Sequence, residues 1–398
     1  MRESLLEKLK RVRPGDIGHF FLFLLALLPA AILRKRRKHL WLLCEYAQEA
    51  QDNAFALFRY LRTHRKDVDA VYAIARRSPA YGKVAALGPA VGYGSLRHWV
   101  YYLAAEVNIS SQKGGKPNAA VCYLLEVRLG WIGTPRVFLQ HGVTKDDLPF
   151  LHEENAKLSM FCCAAEPEYE FVRDTFGYAP GVVRYTGFCR FDALLDAKPD
   201  PDLVLILPTW RMWLERSCRS AEAFRNSEYC RRWQAFLDDP ALDALLRETG
   251  KRAIFCVHRN VSKFETCFVS PSERIAVKRW NEIDVPELIG KAAVLVTDFS
   301  SVYMDFAFMK RPVVYYQFDR DAYRKGHLPT GYFDYERDGF GPVAETASEA
   351  LAALRGIAAR GCRMERVYEE RVDRFFTLRD RGSAARTTQA IEELIANR

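Results

Sequence analysis

At 398 residues with 49% hydrophobic side chains, the chain holds material for two domains with separate cores, which argues against disorder. A formal charge of +9 implies an anionic partner: a phosphorylated substrate, a lipid headgroup surface or a nucleic acid. Ten cysteines with no C-x-x-C pair and no Cys/His spacing of a zinc site read as reduced, mostly buried thiols in a cytoplasmic catalytic body.

Residues 1–38 read as a basic and apolar membrane-association segment. Residues 17–33 are almost wholly apolar, with Lys8, Lys10, Arg11 and Arg13 before them and Arg34, Lys35, Arg36, Arg37 and Lys38 after them. A spanning helix needs about 20 apolar residues and keeps its excess Lys and Arg on one side. This shorter run, holding Pro29 and flanked by positive charge at both ends, fits a shallow or re-entrant anchor better. The amphipathic stretch with Leu5, Leu6 and Leu9 and the two basic clusters then lie on an anionic membrane surface. The expected location is peripheral or monotopic at the cytoplasmic face of the cell membrane.

From Arg37 onward, β-type runs over 39–44, 68–73, 107–111 and 137–140 alternate with helical patterns near 52–63, 95–105 and 119–130. After a linker at 197–202 the pattern restarts, with strands over 203–207, 253–257, 294–297 and 313–316 and helices near 229–249, 300–309 and 347–359. Such alternation implies parallel sheets covered on both faces. The fold class expected is therefore α/β, with Rossmann-like domains over 39–198 and 199–380 and a terminal helix over 381–398. Residues 361–397 are helical by pattern and free to pack back across the first domain. Two doubly wound sheets facing a cleft would bind ligand at the carboxyl ends of their strands.

Chemistry-bearing residues cluster at those predicted strand ends. Thr297, Asp298, Phe299, Ser300 and Ser301 follow an apolar strand and open a helix; they read as a simple N-cap, as a phosphate cradle of helix amides and hydroxyls, or as both. Gln140-His141-Gly142, with Lys145 just beyond, places a histidine at a strand end beside a residue that permits close backbone approach. That histidine is either a hydrogen-bonded structural residue or a base able to deprotonate a hydroxyl near neutral pH. His258-Arg259 follows a strand of the other half and adds a guanidinium suited to phosphate; Pro208-Thr209-Trp210-Arg211 adds another. Lys310 and Arg311 read as a solvated helix end. No P-loop, G-x-S-x-G, H-E-x-x-H or convincing G-x-G-x-x-G motif occurs, against a P-loop ATPase, serine hydrolase, zincin or dinucleotide enzyme.

Taken in order, Gln140-His141-Gly142 with Lys145, Pro208-Thr209-Trp210-Arg211, His258-Arg259, Thr297-Asp298-Phe299-Ser300-Ser301, Lys310-Arg311-Pro312 and Gly331-Tyr332-Phe333-Asp334-Tyr335 resemble the CDP-glycerol glycerophosphotransferase family of teichoic acid and capsule synthesis. The resemblance covers roughly residues 37–380 and rests on the ordered set. It implies a GT-B fold, membrane association, and transfer of glycerol phosphate or ribitol phosphate from CDP-glycerol or CDP-ribitol to a lipid-linked or polymeric glycan acceptor. The first Rossmann-like domain would take the acceptor and the second the donor. His141 would activate the acceptor hydroxyl, while His258, Arg259, Ser300 and Ser301 would hold the donor phosphates. Asp298 would orient donor or helix, with Gly142, Lys145, Arg211 and Thr297 beside the substrate. The stretch Glu45-Tyr46-Ala47-Gln48-Glu49-Ala50-Gln51-Asp52-Asn53 has Ala, Gln and Gln where the family is expected to carry glycine and arginine before the Asp-Asn pair, a departure that bears on acceptor preference more than on the chemistry.

No acidic cluster resembles a divalent-metal site, so transfer without metal or cofactor is expected. Two other readings compete: a GT-B glycosyltransferase using a nucleotide sugar, and a non-catalytic membrane-bound scaffold that binds polymer. Nucleic acid is disfavoured, because the densest basic run abuts the apolar anchor and no aromatic-rich basic repeat offers a stacking platform.

Overall fold

The structure, a computed structural model, describes residues 13–326 and 329–398; Leu5, Leu6, Leu9, Lys8, Lys10 and Arg11 lie outside them. The chain folds into two compact units. The first comprises residues through His141, Pro149–Asp192 and Asp380–Arg398; the second comprises Gly142–Leu148 and Ala193–Arg379.

The first unit is built on a seven-stranded, all-parallel sheet of β1 (Leu40–Cys44), β2 (Asp69–Ile74), β3 (Ala90–Gly92), β4 (Val107–Ser110), β5 (Arg136–Phe138), β6 (Met160–Cys163) and β7 (Val183–Tyr185), in the order β3-β2-β1-β4-β5-β6-β7. The run Leu-Trp-Leu-Leu-Cys of β1 is buried throughout because helices cover both faces of a parallel sheet. One face packs on the helix Asn53–His64, the other on Leu96–Ala104 and on the long helix Pro14–Arg36. The helix Ser383–Ala396 also belongs here: Asp192 accepts hydrogen bonds from the Ser383 and Ala384 amides, both at 3.0 Å, and caps it. The return of the chain's end to the first domain is thus seen for this helix, whereas Arg366–Phe375 stays with the second unit.

The second unit holds a six-stranded parallel sheet of β8 (Asp200–Leu207), β9 (Arg252–Val257), β10 (Ile275–Arg279), β11 (Ala292–Thr297), β12 (Val313–Tyr316) and β13 (Val343–Ala344), ordered β10-β9-β8-β11-β12-β13. Its strand order reverses direction between β8 and β11, and doubly wound sheets bind ligands outside the carboxyl ends of strands at such a switch point. In the first sheet the reversal lies between β1 and β4.

Three expectations need correction. The helix over 229–249 is two helices, Glu228–Asp238 and Pro240–Glu248, because Pro240 drives Asp239 out of helical backbone and Asp239 then caps the second at 2.8 Å. Strand β8 begins at Asp200, inside the predicted linker. The helix over 300–309 starts only at Tyr303, so Ser300 and Ser301 occupy a turn ahead of it. All ten cysteines are free thiols and nine are buried.

Candidate active site

In the first unit the ends of β1 and β5 are tied together. Glu45, just past β1, is fully buried and accepts hydrogen bonds from the amides of Gln51 (2.9 Å), Asp52 (3.0 Å) and Phe55 (2.9 Å). Burial raises its pKa to about 7, the Asp52 carboxylate adds to the rise, and the three amides oppose it. Asp52 caps the helix Asn53–His64, and Ser111, past β4, accepts from the Ala54 amide at 2.7 Å. The first amides of this helix, which in many nucleotide-binding sheets receive phosphate, are therefore taken by the protein's own oxygens.

Asn53 sends its amide from that helix across to the chain leaving β5, donating to the Gln140 carbonyl at 2.8 Å and the Leu139 carbonyl at 3.3 Å. Gln140 has φ +60°, a left-handed conformation rare for a residue with a side chain and worth about 1–3 kcal/mol of strain. Its own side-chain amide donates to Cys162 O (2.7 Å) and Glu168 Oε1 (2.9 Å), holding the turn in place. The next residue is His141, and its side chain is exposed. Strain of this kind collects where a side chain must be aimed rather than packed.

In the second unit, four adjacent strands place their following residues along one edge. His258 follows β9; Pro208, Thr209 and Trp210 follow β8; Asp298 to Ser301 follow β11; Gln317 follows β12. His258 Nδ1 accepts from the Asn260 amide at 3.2 Å, and a neutral imidazole that accepts at Nδ1 carries its hydrogen on Nε2. Its ring lies near Trp210 (centroids 6.5 Å, 24° between planes) and Trp280 (5.7 Å). That arrangement leaves the His258 Nε2 hydrogen as a donor. Arg259 is exposed next to it. Ser301 is exposed, and Ser300, largely buried, accepts from the Val302 amide at 3.4 Å.

The segment Gly142–Leu148 packs within this same unit. A side chain on Gly142 would come within 3.0 Å of Ser301 Oγ, so glycine is what lets the two meet. Beyond it, Gly331 lies so close to the Lys145 carbonyl and Asp146 Cα that a Cβ there would overlap both, and the Asp147 amide donates to Pro329 O at 3.1 Å. Lys145 is buried, paired with Asp146 and 5.7 Å from the centre of the Tyr335 ring, so it braces this segment.

Arg211, Thr297 and Asp298 are not at an open surface. Arg211 is completely buried, donates through Nε and Nη2 to both oxygens of Asp319 (2.7 and 2.8 Å) and through Nη1 to Thr209 O (2.6 Å), and lies 2.9 Å from Asp298. Asp298 accepts from the Thr209 amide at 2.8 Å, and the Thr297 hydroxyl donates to Leu207 O at 2.6 Å. Expected beside the substrate, these residues form an internal frame joining β8 to β11 under the Ser300-Ser301 turn. Arg311 is likewise no solvated helix end: it is buried and donates to Gly290 O (2.6 Å), Ala292 O (2.8 Å) and Ala197 O (2.7 Å). Arg190 and Glu45 escaped sequence reading. Asp52 and Asn53 stood out only as a pair in the stretch compared with the family, and the partners of Asn53, 86 and 87 residues away, were not visible.

Two α/β units built on parallel sheets, each with one reversal of strand order and a histidine beyond a strand end, have the make-up of GT-B-like folds. The chain belongs to the CDP-glycerol:poly(glycerophosphate) glycerophosphotransferase family, whose pattern it matches over residues 26–393. Among curated proteins it is similar to the minor teichoic acid biosynthesis protein GgaB of Bacillus subtilis, 28% identical over 91% of this chain. It spans only 40% of that relative's length. It is also similar to the teichoic acid poly(glycerol phosphate) polymerase of the same organism, 26% identical over 50% of this chain and 24% of that one. Among solved structures, the wall teichoic acid polymerase TagF superposes with a TM-score of 0.69, 16% identity and 99% of both chains covered. The Staphylococcus aureus MnaA–UDP structure gives 0.57, with 12% identity and 90% and 96% covered. These two likenesses concern the fold.

Proposed function

We propose that this chain transfers glycerol phosphate or ribitol phosphate from a CDP-linked donor to a hydroxyl of a teichoic-acid-like or capsular acceptor, polymeric or lipid-linked, and releases CMP. One observation carries the reading: within the matched family, His141 is exposed on a strained, cross-braced main chain while His258 is held as an N–H donor beside Arg259. The first suits a base and the second a phosphate ligand. The acceptor oxygen attacks the phosphorus bearing the polyol and loses its proton to His141. The bond from that phosphorus to the CMP oxygen breaks, and the charge left on CMP is met by His258, Arg259 and the Ser300-Ser301 turn. Positioning and electrostatics supply most of the acceleration in such phosphoryl transfers.

The test is to incubate the full chain separately with CDP-glycerol, CDP-ribitol and a panel of UDP-sugars, with a crude membrane acceptor and EDTA, and to separate the released nucleotides by chromatography. CMP from a CDP-polyol alone is expected and names the donor. UDP release would instead establish a nucleotide-sugar transferase, and no release with active acceptor membranes would leave a binding role.

The reading also places the protein on the cytoplasmic face of the membrane, lying on the bilayer. The helix Pro14–Arg36 is long and apolar enough to cross one. One of its faces is already occupied within the first unit: Phe23, Ala26 and Ala30 are buried, and Phe23 meets Trp99 edge-on at 5.7 Å. Ile17, Phe21, Leu24, Leu25, Leu28 and Ile32 form an exposed stripe at helical spacing, Leu28 being 72% exposed, with basic residues in the last turn. A helix fastened along its length to a folded unit enters the interface sideways. Full burial of a leucine contributes about 1.5–3 kcal/mol, so Leu25→Asp with Leu28→Asp should weaken binding to phosphatidylglycerol vesicles by about 100-fold or more. Flotation of the variant with the vesicles as strongly as wild type would remove this face from the reading.

A further inference from the structure

Nothing in the proposed chemistry accounts for the buried polar cluster behind His141. Asn53 bonds two successive carbonyls, Leu139 O and Gln140 O, of the chain that carries the histidine, and its own oxygen accepts the Arg190 amide at 3.1 Å. Asp52, the adjoining cap residue, lies 3.7 Å from the Arg190 guanidinium. Glu45 anchors the start of this helix through the Asp52 and Phe55 amides. A helix needing only a cap would use Asp52 alone; here the second residue spends its whole side chain on the loop before His141 and on Arg190.

We propose that Asp52 and Asn53 are positioning residues for His141: Asn53 fixes the main chain from which the imidazole projects, and Asp52 supplies a carboxylate for the imidazolium that forms when His141 takes the acceptor proton. The proposal rests on the reading of His141 as the base. Asp52 caps the helix on which Asn53 holds the Leu139 and Gln140 carbonyls, which sets its carboxylate in the same cluster; burial raises its pKa, while Arg190 first and then His141 draw it down. The arrangement has the logic of a base oriented by a third group, with a neutral amide holding the backbone and a charged carboxylate answering the ring. Arg190, 3.7 Å from it, opposes the rise that burial imposes on this carboxylate.

Asp52→Asn isolates the charge, because asparagine caps a helix as well as aspartate does. In the CMP-release assay with the full chain, this variant should lose about 10- to 100-fold in kcat with donor KM within about twofold. Asp52→Glu should recover part of the loss. Asn53→Ala should lower kcat similarly, again sparing donor KM. Wild-type kcat in Asp52→Asn, or a fall in kcat matched by a rise in donor KM in both variants, overturns the proposal. His141→Ala measured in parallel separates the two levels. If that variant turns over normally, the base assignment fails; if it is inactive while Asp52→Asn is not, the positioning role alone fails.

Discussion

Replacing Arg211 by leucine should destabilise the second unit by about 3–5 kcal/mol, a large part of the total stability of an ordinary domain. The guanidinium is completely buried, with two carboxylates against it and the rings of Tyr229, Phe299 and Tyr323 about it at 5.0 to 5.2 Å. Burial alone would favour loss of its proton; Asp298 and Asp319 outweigh that and hold it more firmly protonated than in water. Removing the cation leaves two negative charges facing each other in the interior, so the cost comes mainly from what remains. Arg211→Leu combined with Asp319→Leu should therefore be less damaging than Arg211→Leu alone, since one stranded charge goes with its partner. Urea unfolding, with limited proteolysis of the second unit as a second readout, distinguishes these cases. An Arg211→Leu protein as resistant as wild type would mean that the buried frame contributes little. Arg211→Lys should fall between, because an ammonium cannot form the two parallel bonds to Asp319.

The same residue shows where sequence reading stops. An arginine after a strand end looks like a phosphate ligand, and only its partner 108 residues away turns it inward. The strong strands were legible because parallel strands buried on both faces spell themselves as apolar runs, as in Leu-Trp-Leu-Leu-Cys of β1 and Ala-Ala-Val-Leu-Val-Thr of β11. Edge strands lacked that signature: β10, Ile-Ala-Val-Lys-Arg, is mostly exposed, and β13 has two residues. The histidines were found because a strand end is a position a pattern can locate. Their surroundings were not, since the Asn260 amide bonded to His258 and the left-handed Gln140 before His141 are local geometry no spacing rule encodes. Glu45 stayed hidden because nothing in the sequence says which carboxylate will be closed inside.

His141→Ala should reduce CMP release from a CDP-polyol by about 10²- to 10⁴-fold in kcat, the usual contribution of a positioned general base. The loss belongs in kcat, because the residues proposed to hold the donor, His258, Arg259, Ser300 and Ser301, belong to the other unit and are untouched. Donor affinity measured by equilibrium binding should stay within about twofold, a shift below about 0.4 kcal/mol. Folding should be unaffected, since the side chain is exposed and the turn before it is held by Asn53, Cys162 and Glu168. Arg259→Ala supplies the opposite pattern: a weaker donor complex and, because the same cation meets the charge developing on CMP, a lower kcat as well. If His141→Ala weakened donor binding as much as turnover, the imidazole would be a ligand of the phosphates and the proton would have to leave by another route. Intact turnover with intact binding would place the base elsewhere, and the strained Gln140 would then be a feature of the fold without a catalytic consequence.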